Sequence, residues 1–245
     1  MGGSLKAPHS KGFTLAEVLI TLGIIGIVAA LTIPTLVHSY KKKNIETKLK
    51  KVYSIMNQAV GLSIANDTWT PPPTDKRNDN DALHEWLQTV LYPYMKVKDC
   101  YNSDDEDCKK VIDSGDSWEN RAILPDGSTL NFNNNMQIHT LYTTDVSVSE
   151  NNAKTGINWF YFFLDYEPTQ KLGYFYPSGY AYSYANDDDL ENEQMRDIYV
   201  YNNRDGMIKY CNSKYSSPLS FGGSTCALLI MHDGWKISDD YPVKF

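Results

Sequence analysis

Cys100 and Cys108 bracket YNSDDED, and Cys211 and Cys226 bracket NSKYSSPLSFGGST. Thiols at such spacings can bridge short polar loops, hold a metal or stay free. Neither interval has the C-x2-C pattern or the nearby histidines of a zinc site. Four cysteines allow three pairings. The turn-rich intervals favour Cys100 with Cys108 and Cys211 with Cys226, and with them an oxidising compartment; buried free thiols in a cytosolic domain are the alternative. His9, His38, His84, His139 and His232 are scattered, none at the H-E-x-x-H spacing. His232-Asp233 sits where a turn is expected, and a turn pair is preferred to a metal diad. Asp104-Asp105-Glu106-Asp107 lies inside the first cysteine interval, and Asp187-Asp188-Asp189 is followed by Glu191 and Glu193. Calcium takes six to eight oxygens of this kind. Neither run has EF-hand spacing, so solvated acidic loops are the ordinary reading and no metal ligand is assigned. No G-x-S-x-G, phosphate loop or dinucleotide fingerprint occurs, and the expectation is a protein that is not an enzyme.

One further acid is out of place. Glu17 stands just before VLITLGIIGIVAALTIPTLV, residues 18–37, which holds no charged residue. About 20 apolar residues at 1.5 Å each span the ~30 Å core of a bilayer. A carboxylate in such a segment costs about 2.5–3.5 kcal/mol on insertion scales unless it is paired or near the interface. Ahead of it the chain carries Lys6 and Lys11 and no apolar stretch. An ordinary signal peptide is cut after its apolar region, here at Ala29-Ala30 with a mature start near Leu31, and that reading leaves Glu17 unexplained.

The string KGFTLAEVLITLGIIGIVAALTIPTL, within Lys11–Tyr40, resembles the leader and N-terminal helix of type IV pilins and type II secretion pseudopilins. The resemblance implies a leader at residues 1–12, cleavage after Gly12 by prepilin peptidase, and methylation of the new amino terminus at Phe13. It implies that Glu17 pairs with a neighbouring subunit's terminal amine, which supplies the cation that the physics demands. A buried carboxylate compensated in trans acts as a register device, because misaligned copies leave it unpaired. Gly26 and Pro34 also match positions where such helices carry glycine and proline. Pro34 lacks an N–H and clashes with the preceding turn, so a kink or break is expected there.

The implied function is a structural pilin or pseudopilin subunit. Its partners are copies of itself, other pilin-like subunits, prepilin peptidase, the inner-membrane assembly machinery and membrane lipid. The implied location is the inner membrane, single-pass with a periplasmic C-terminal domain, then a filament. Lys41–Lys43, Lys48, Lys50 and Lys51 follow the apolar run at once, and a positive-inside count alone would put the C-terminal domain in the cytoplasm. The paired cysteines and the leader motif agree on export and override that count. The rival reading is a membrane-anchored exported binding protein that never polymerises.

The remaining elements follow from periodicity. Ile45, Leu49, Val52, Met56, Ala59, Val60 and Ser63 share one helical face, so 41–66 reads as an amphipathic continuation of the apolar helix at 13–40. TPPP at 70–73 closes it. A second helix presents Leu83, Leu87, Val90, Leu91 and Tyr94, with Asp81 as N-cap and Pro93 weakening its end. Beyond Cys108 the texture is that of strands: 122–124 and 129–132 around Pro125-Asp-Gly-Ser, then an aromatic strand at 158–164. Further hairpins are expected at 198–201 with 207–211, and at 227–231 with 235–237. The expected class is α+β, a long N-terminal helix packed on an antiparallel sheet, with 67–245 as the globular domain.

The chain is acidic, 23 Lys+Arg against 30 Asp+Glu for a net charge of -7, with no sustained basic stripe. Nucleic-acid binding rests on phosphate neutralisation and is not expected. Mean hydropathy is -0.45 although 42% of residues are hydrophobic, so the apolar residues are concentrated and the rest is very polar.

Overall fold

The computed structural model describes residues 12–73, 79–112, 119–135, 137–148, 152–167, 172–178, 204–211 and 225–245. The chain divides into two compact units, Met1–Lys41 and Lys42–Phe245. Helix α1 is Leu15–Ala65, 51 residues. The break expected at Pro34 is absent, because α1 runs through it. One proline removes one backbone donor, at about 3 kcal/mol, and the helix-compatible residues on both sides carry the helix past it.

In the second unit, the seven residues of the expected stripe, Ile45 through Ser63, are the buried residues of α1. TPPP does not end the helix. Asp67 adopts φ 55°, with Thr68 N–H donating to Ser63 C=O at 3.0 Å and Asp67 N–H to Ile64 C=O at 3.1 Å. This paired capping satisfies carbonyls that the last turn leaves open.

Helix α2 is Asn80–Val90, capped by Asp79 rather than the expected Asp81. The Asp79 carboxylate accepts from the Ala82 N–H at 2.9 Å. Asp81 lies inside the first turn, where its carboxylate is free to accept from the Tyr101 hydroxyl at 2.6 Å. Pro93 falls in a short 3-10 turn, Tyr92–Tyr94.

The sheet has six strands among the described residues: β1 Lys98–Asp99, β2 Asn120–Ile123, β3 Thr129–Asn135, β4 Gln137–Thr143, β5 Trp159–Glu167 and β6 Leu172–Pro177, each antiparallel to the next. A short helix, α3 Glu106–Ile112, lies between β1 and β2. Leu130, Phe132, Ile138, Tyr142, Phe160, Phe162, Leu164 and Phe175 join the α1 and α2 faces in one core. Alternation along each strand puts these side chains on the helix-covered face, and Phe162 stacks on Phe175 at 4.8 Å.

Two expected hairpins are corrected. Residues 204–210 form α4 (Arg204–Tyr210), and residues 226–232 form α5 (Cys226–His232). Residues 198–201 lie outside the described residues. A short apolar run such as ALLIM has no period that separates a buried strand from a buried helix. Ala, Leu and Met favour the helix, and Cys226–Ile230 are all buried. Both local disulfides are present, Cys100–Cys108 and Cys211–Cys226; the second ties the end of α4 to the start of α5.

The outer edge of β6 is occupied by side chains of the α1 region. Ser178 N–H donates to Tyr161 C=O, so positions 174, 176 and 178 face β5 and positions 173, 175 and 177 face outwards. Asn57 meets Phe175 with both ends of its amide, donating to the carbonyl at 3.0 Å and accepting from the N–H at 3.4 Å. Trp69 packs on the sheet face at Gly173, where an added Cβ would collide with its ring, and Pro177 on the outer edge has no N–H. Asn57→Ala strips two backbone groups of their partner. We expect a loss of about 1–3 kcal/mol, read from urea unfolding of the full chain in detergent; an unchanged midpoint would show that this amide does not hold the edge.

Candidate functional site

The start of α1 is built by its own first turn. Thr14 N–H donates to Glu17 Oε2 at 2.9 Å, Thr14 Oγ1 donates to the same oxygen at 2.8 Å, and Glu17 N–H approaches Thr14 Oγ1 at 3.2 Å. This is a capping box, in which a threonine and a glutamate three residues apart satisfy each other's orphan donors. The T-x-x-E spacing ahead of an apolar run announces it, although the charge argument on Glu17 alone misses Thr14. Glu17 is therefore engaged within its own chain, and no Lys or Arg among the described residues pairs with it.

Gly12 and Phe13 precede this turn, Phe13 with 87% of its surface exposed. Beyond the neighbouring backbone, no described residue comes within 4 Å of a Cβ built on Gly12 or Gly26, so packing among the described residues requires neither glycine. The large apolar side chains from Phe13 to Val37 are exposed, Leu31 by 74% and Leu36 by 70%. The helix is long and apolar enough to cross a membrane. Such a surface needs lipid or other helices around it.

The other residues with chemical potential are distributed as structural pairs. His84 Nε2 lies 2.7 Å from Asp99 Oδ2 and its ring 4.2 Å from that of Tyr101. In the first acidic run, Asp105 and Asp107 meet Lys98 at 2.5 and 3.4 Å, and Asp107 meets Lys110 at 2.9 Å. These ammonium groups, bonding to both carboxylates, hold Asp105 and Asp107 below the usual range. The run from Asp187 to Glu193 lies outside the described residues. No group of three or more metal-ligating side chains occurs among the described residues.

His232-Asp233 closes α5, as a turn pair would, at 3.1 Å. The sequence reading missed what Asp233 does. Arg204 holds it with two nitrogens at 2.8 Å and also reaches Asp240 at 2.6 and 2.7 Å. Hydrogen bonding to Arg204 lowers Asp233 to about 2 and lowers Asp240 as well. Both stay ionised through mildly acidic solution and lock α4 to the C-terminal turn.

Residues 8–33 match the prokaryotic N-terminal methylation motif. Residues 35–245 match the family described as Family of unknown function (DUF6613), well over half of the chain. The chain belongs to that family. No curated protein matches, and no solved structure does. The methylation motif points to a type IV pilin-like precursor and supports the resemblance read at Lys11–Tyr40. Proteins with that motif are structural, and in general they assemble with other pilin subunits and meet prepilin peptidase. Motif and apolar helix together fit a membrane-anchored, single-pass protein. DUF6613 begins two residues after the motif ends, so the two matches divide the chain inside α1.

Proposed function

We propose that the chain is the precursor of a structural subunit of a type IV pilus-like filament. A prepilin peptidase cuts after Gly12 and methylates the Phe13 amine. The helix from Phe13 to Val37 is then held in the inner membrane with the globular unit in the periplasm, and is later drawn into a filament whose axis is a bundle of such helices. One observation carries this reading: a methylation motif that overlaps the charge-free apolar stretch of α1, residues 18–37. The two disulfides suit the exported side of the membrane.

Cleavage creates a cation one residue before Thr14, and Glu17 then exchanges its internal partner for a neighbour's terminal amine. Helices leaving lipid for a bundle gain little apolar burial, so the charge pair and the assembly machinery supply what the hydrophobic effect does not.

N-terminal sequencing of the mature protein tests this. The expected first residue is a methylated Phe13. A chain that starts at Met1 or Gly2 would instead be an anchored, non-polymerising protein, and a start near Leu31 would mean an ordinary signal peptide. Imaging separates the systems: long fibres made mostly of this chain indicate a major pilin, and a secretion defect without fibres indicates a pseudopilin.

A further inference from the structure

At one end of its sheet the globular unit has lysines that meet no carboxylate, and at the other acids that meet no Lys or Arg, among the described residues. At one end, a cavity of about 570 Å³ between α1 and the turn after α5 is lined by Lys43, Glu46, Lys50, Lys51, Trp235 and Lys236, among others. Glu46 is engaged by the Ile237 N–H at 2.9 Å and by Lys43 at 3.2 Å, and Lys51 pairs with Asp126 at 2.9 Å. Lys50 and Lys236 meet no carboxylate among the described residues. Trp235 is held at φ 63°, a conformation bulky residues avoid, with its ring 5.0 Å from that of Tyr53.

At the other end, Asp81 and Glu85 stand one turn apart on the exposed side of α2, with Glu119 beside its first residue. Asp81 accepts from Tyr101 and Glu119 from the Asn80 amide; none of the three meets a Lys or Arg among the described residues. The Tyr101 hydroxyl feels this field: it is pushed up to about 12, first by its bond to Asp81, then by desolvation and by the charges of Asp81 and Glu119. Strand β3 gives the separation. Asp126 precedes it, and Asn134, near its far end, donates to the Asp79 carbonyl at 3.4 Å. Seven residues at about 3.3 Å each place the patches roughly 20 Å apart.

We propose that the Lys50–Lys236 groove receives the Asp81–Glu85 face of the next copy, head to tail. This rests on the assembly reading above and names one of its subunit contacts. Opposite charges about 20 Å apart cannot meet within one copy, whereas a head-to-tail contact satisfies both and repeats without closing. The carboxylates of Glu46 and Asp126, set among the lysines, suit a partner with discrete acids better than a continuous phosphate or headgroup surface.

The test uses the full-length chain in cells that assemble it. Lys50→Glu with Lys236→Glu, or Asp81→Lys with Glu85→Lys, places like charges together and is expected to lower the assembled fraction by roughly tenfold or more. All four changes in one chain restore opposite signs and should recover most of that loss. Carbodiimide treatment of wild-type filaments from two isotopically distinct pools needs no variant. It should join Lys50 or Lys236 of one copy to Asp81 or Glu85 of another. Filaments whose inter-copy links fall elsewhere, for instance on Asp187-Asp188-Asp189, overturn the contact, as does a four-site variant no better than its parents with both disulfides intact. A wild-type chain that forms no filament overturns the assembly reading itself.

Discussion

Glu17→Val is expected to be inserted and cut normally and to fall about a hundredfold or more in filament incorporation. Insertion is not impaired, because valine removes the roughly 2.5–3.5 kcal/mol that a carboxylate costs in the apolar segment. The capping box is lost, at about 0.5–2 kcal/mol, but the helix retains its full apolar length. The large term is the partner left behind: breaking a buried ion pair by deleting one member costs about 3–5 kcal/mol, since the other charge stays buried alone. Glu17→Gln separates the two contributions, because glutamine still accepts from the Thr14 N–H but carries no charge. Incorporation of both variants is measured beside cleavage of the leader. Gln should be nearly as poor as Val; if Gln assembles like the wild type, the trans charge pair is not what drives incorporation.

Gly156→Ala is expected to lose about 2–5 kcal/mol of stability. Gly156 has φ 83°, where a Cβ costs about 1–2 kcal/mol. An added Cβ would also lie 2.8 Å from Cys226 Sγ and 2.9 Å from both Tyr241 Oη and Val243 Cγ2, and overpacking of this kind costs about 1–3 kcal/mol. Nothing around it yields easily. Cys226 is bonded to Cys211, and the buried Tyr241 hydroxyl donates to the Gly156 carbonyl at 2.8 Å. Thermal unfolding of the full chain in detergent should show a midpoint lower by roughly 5–15 °C. A shift of less than about 1 °C would mean that this loop does not pack beneath the disulfide.

Periodic and local signals were legible in the sequence. The stripe from Ile45 to Ser63 was readable because one face of a helix meets one core, and burial follows the 3.6-residue period. The strands at 129–132 and 158–164 announced themselves by a Pro-Asp-Gly turn and by aromatic density. What escaped depended on partners distant in sequence. ALLIM folds as helix rather than strand where Cys226 is tied to α4 and the run from Ala227 to Ile230 is buried. Neither Asn57 on β6 nor Arg204 between Asp233 and Asp240 has a local signature. The capping box at Thr14 did have one, and so did the competition between Asp79 and Asp81. Two acids two residues apart can each cap a helix, and in the folded chain Asp79 takes the role while Asp81 bonds to Tyr101.

The closed edge of β6 bears on how copies of this chain meet in the proposed assembly. Subunits of a polymer are held at high local density before they assemble, which is where an open strand would recruit copies into cross-β aggregates. The Asn57 amide on Phe175 and the missing N–H of Pro177 deny that route at two outward positions, and at the opposite side β1 is two residues long. In the proposed assembly, contacts between copies are thereby kept away from the backbone and left to side chains, which can be opposed, exchanged and released.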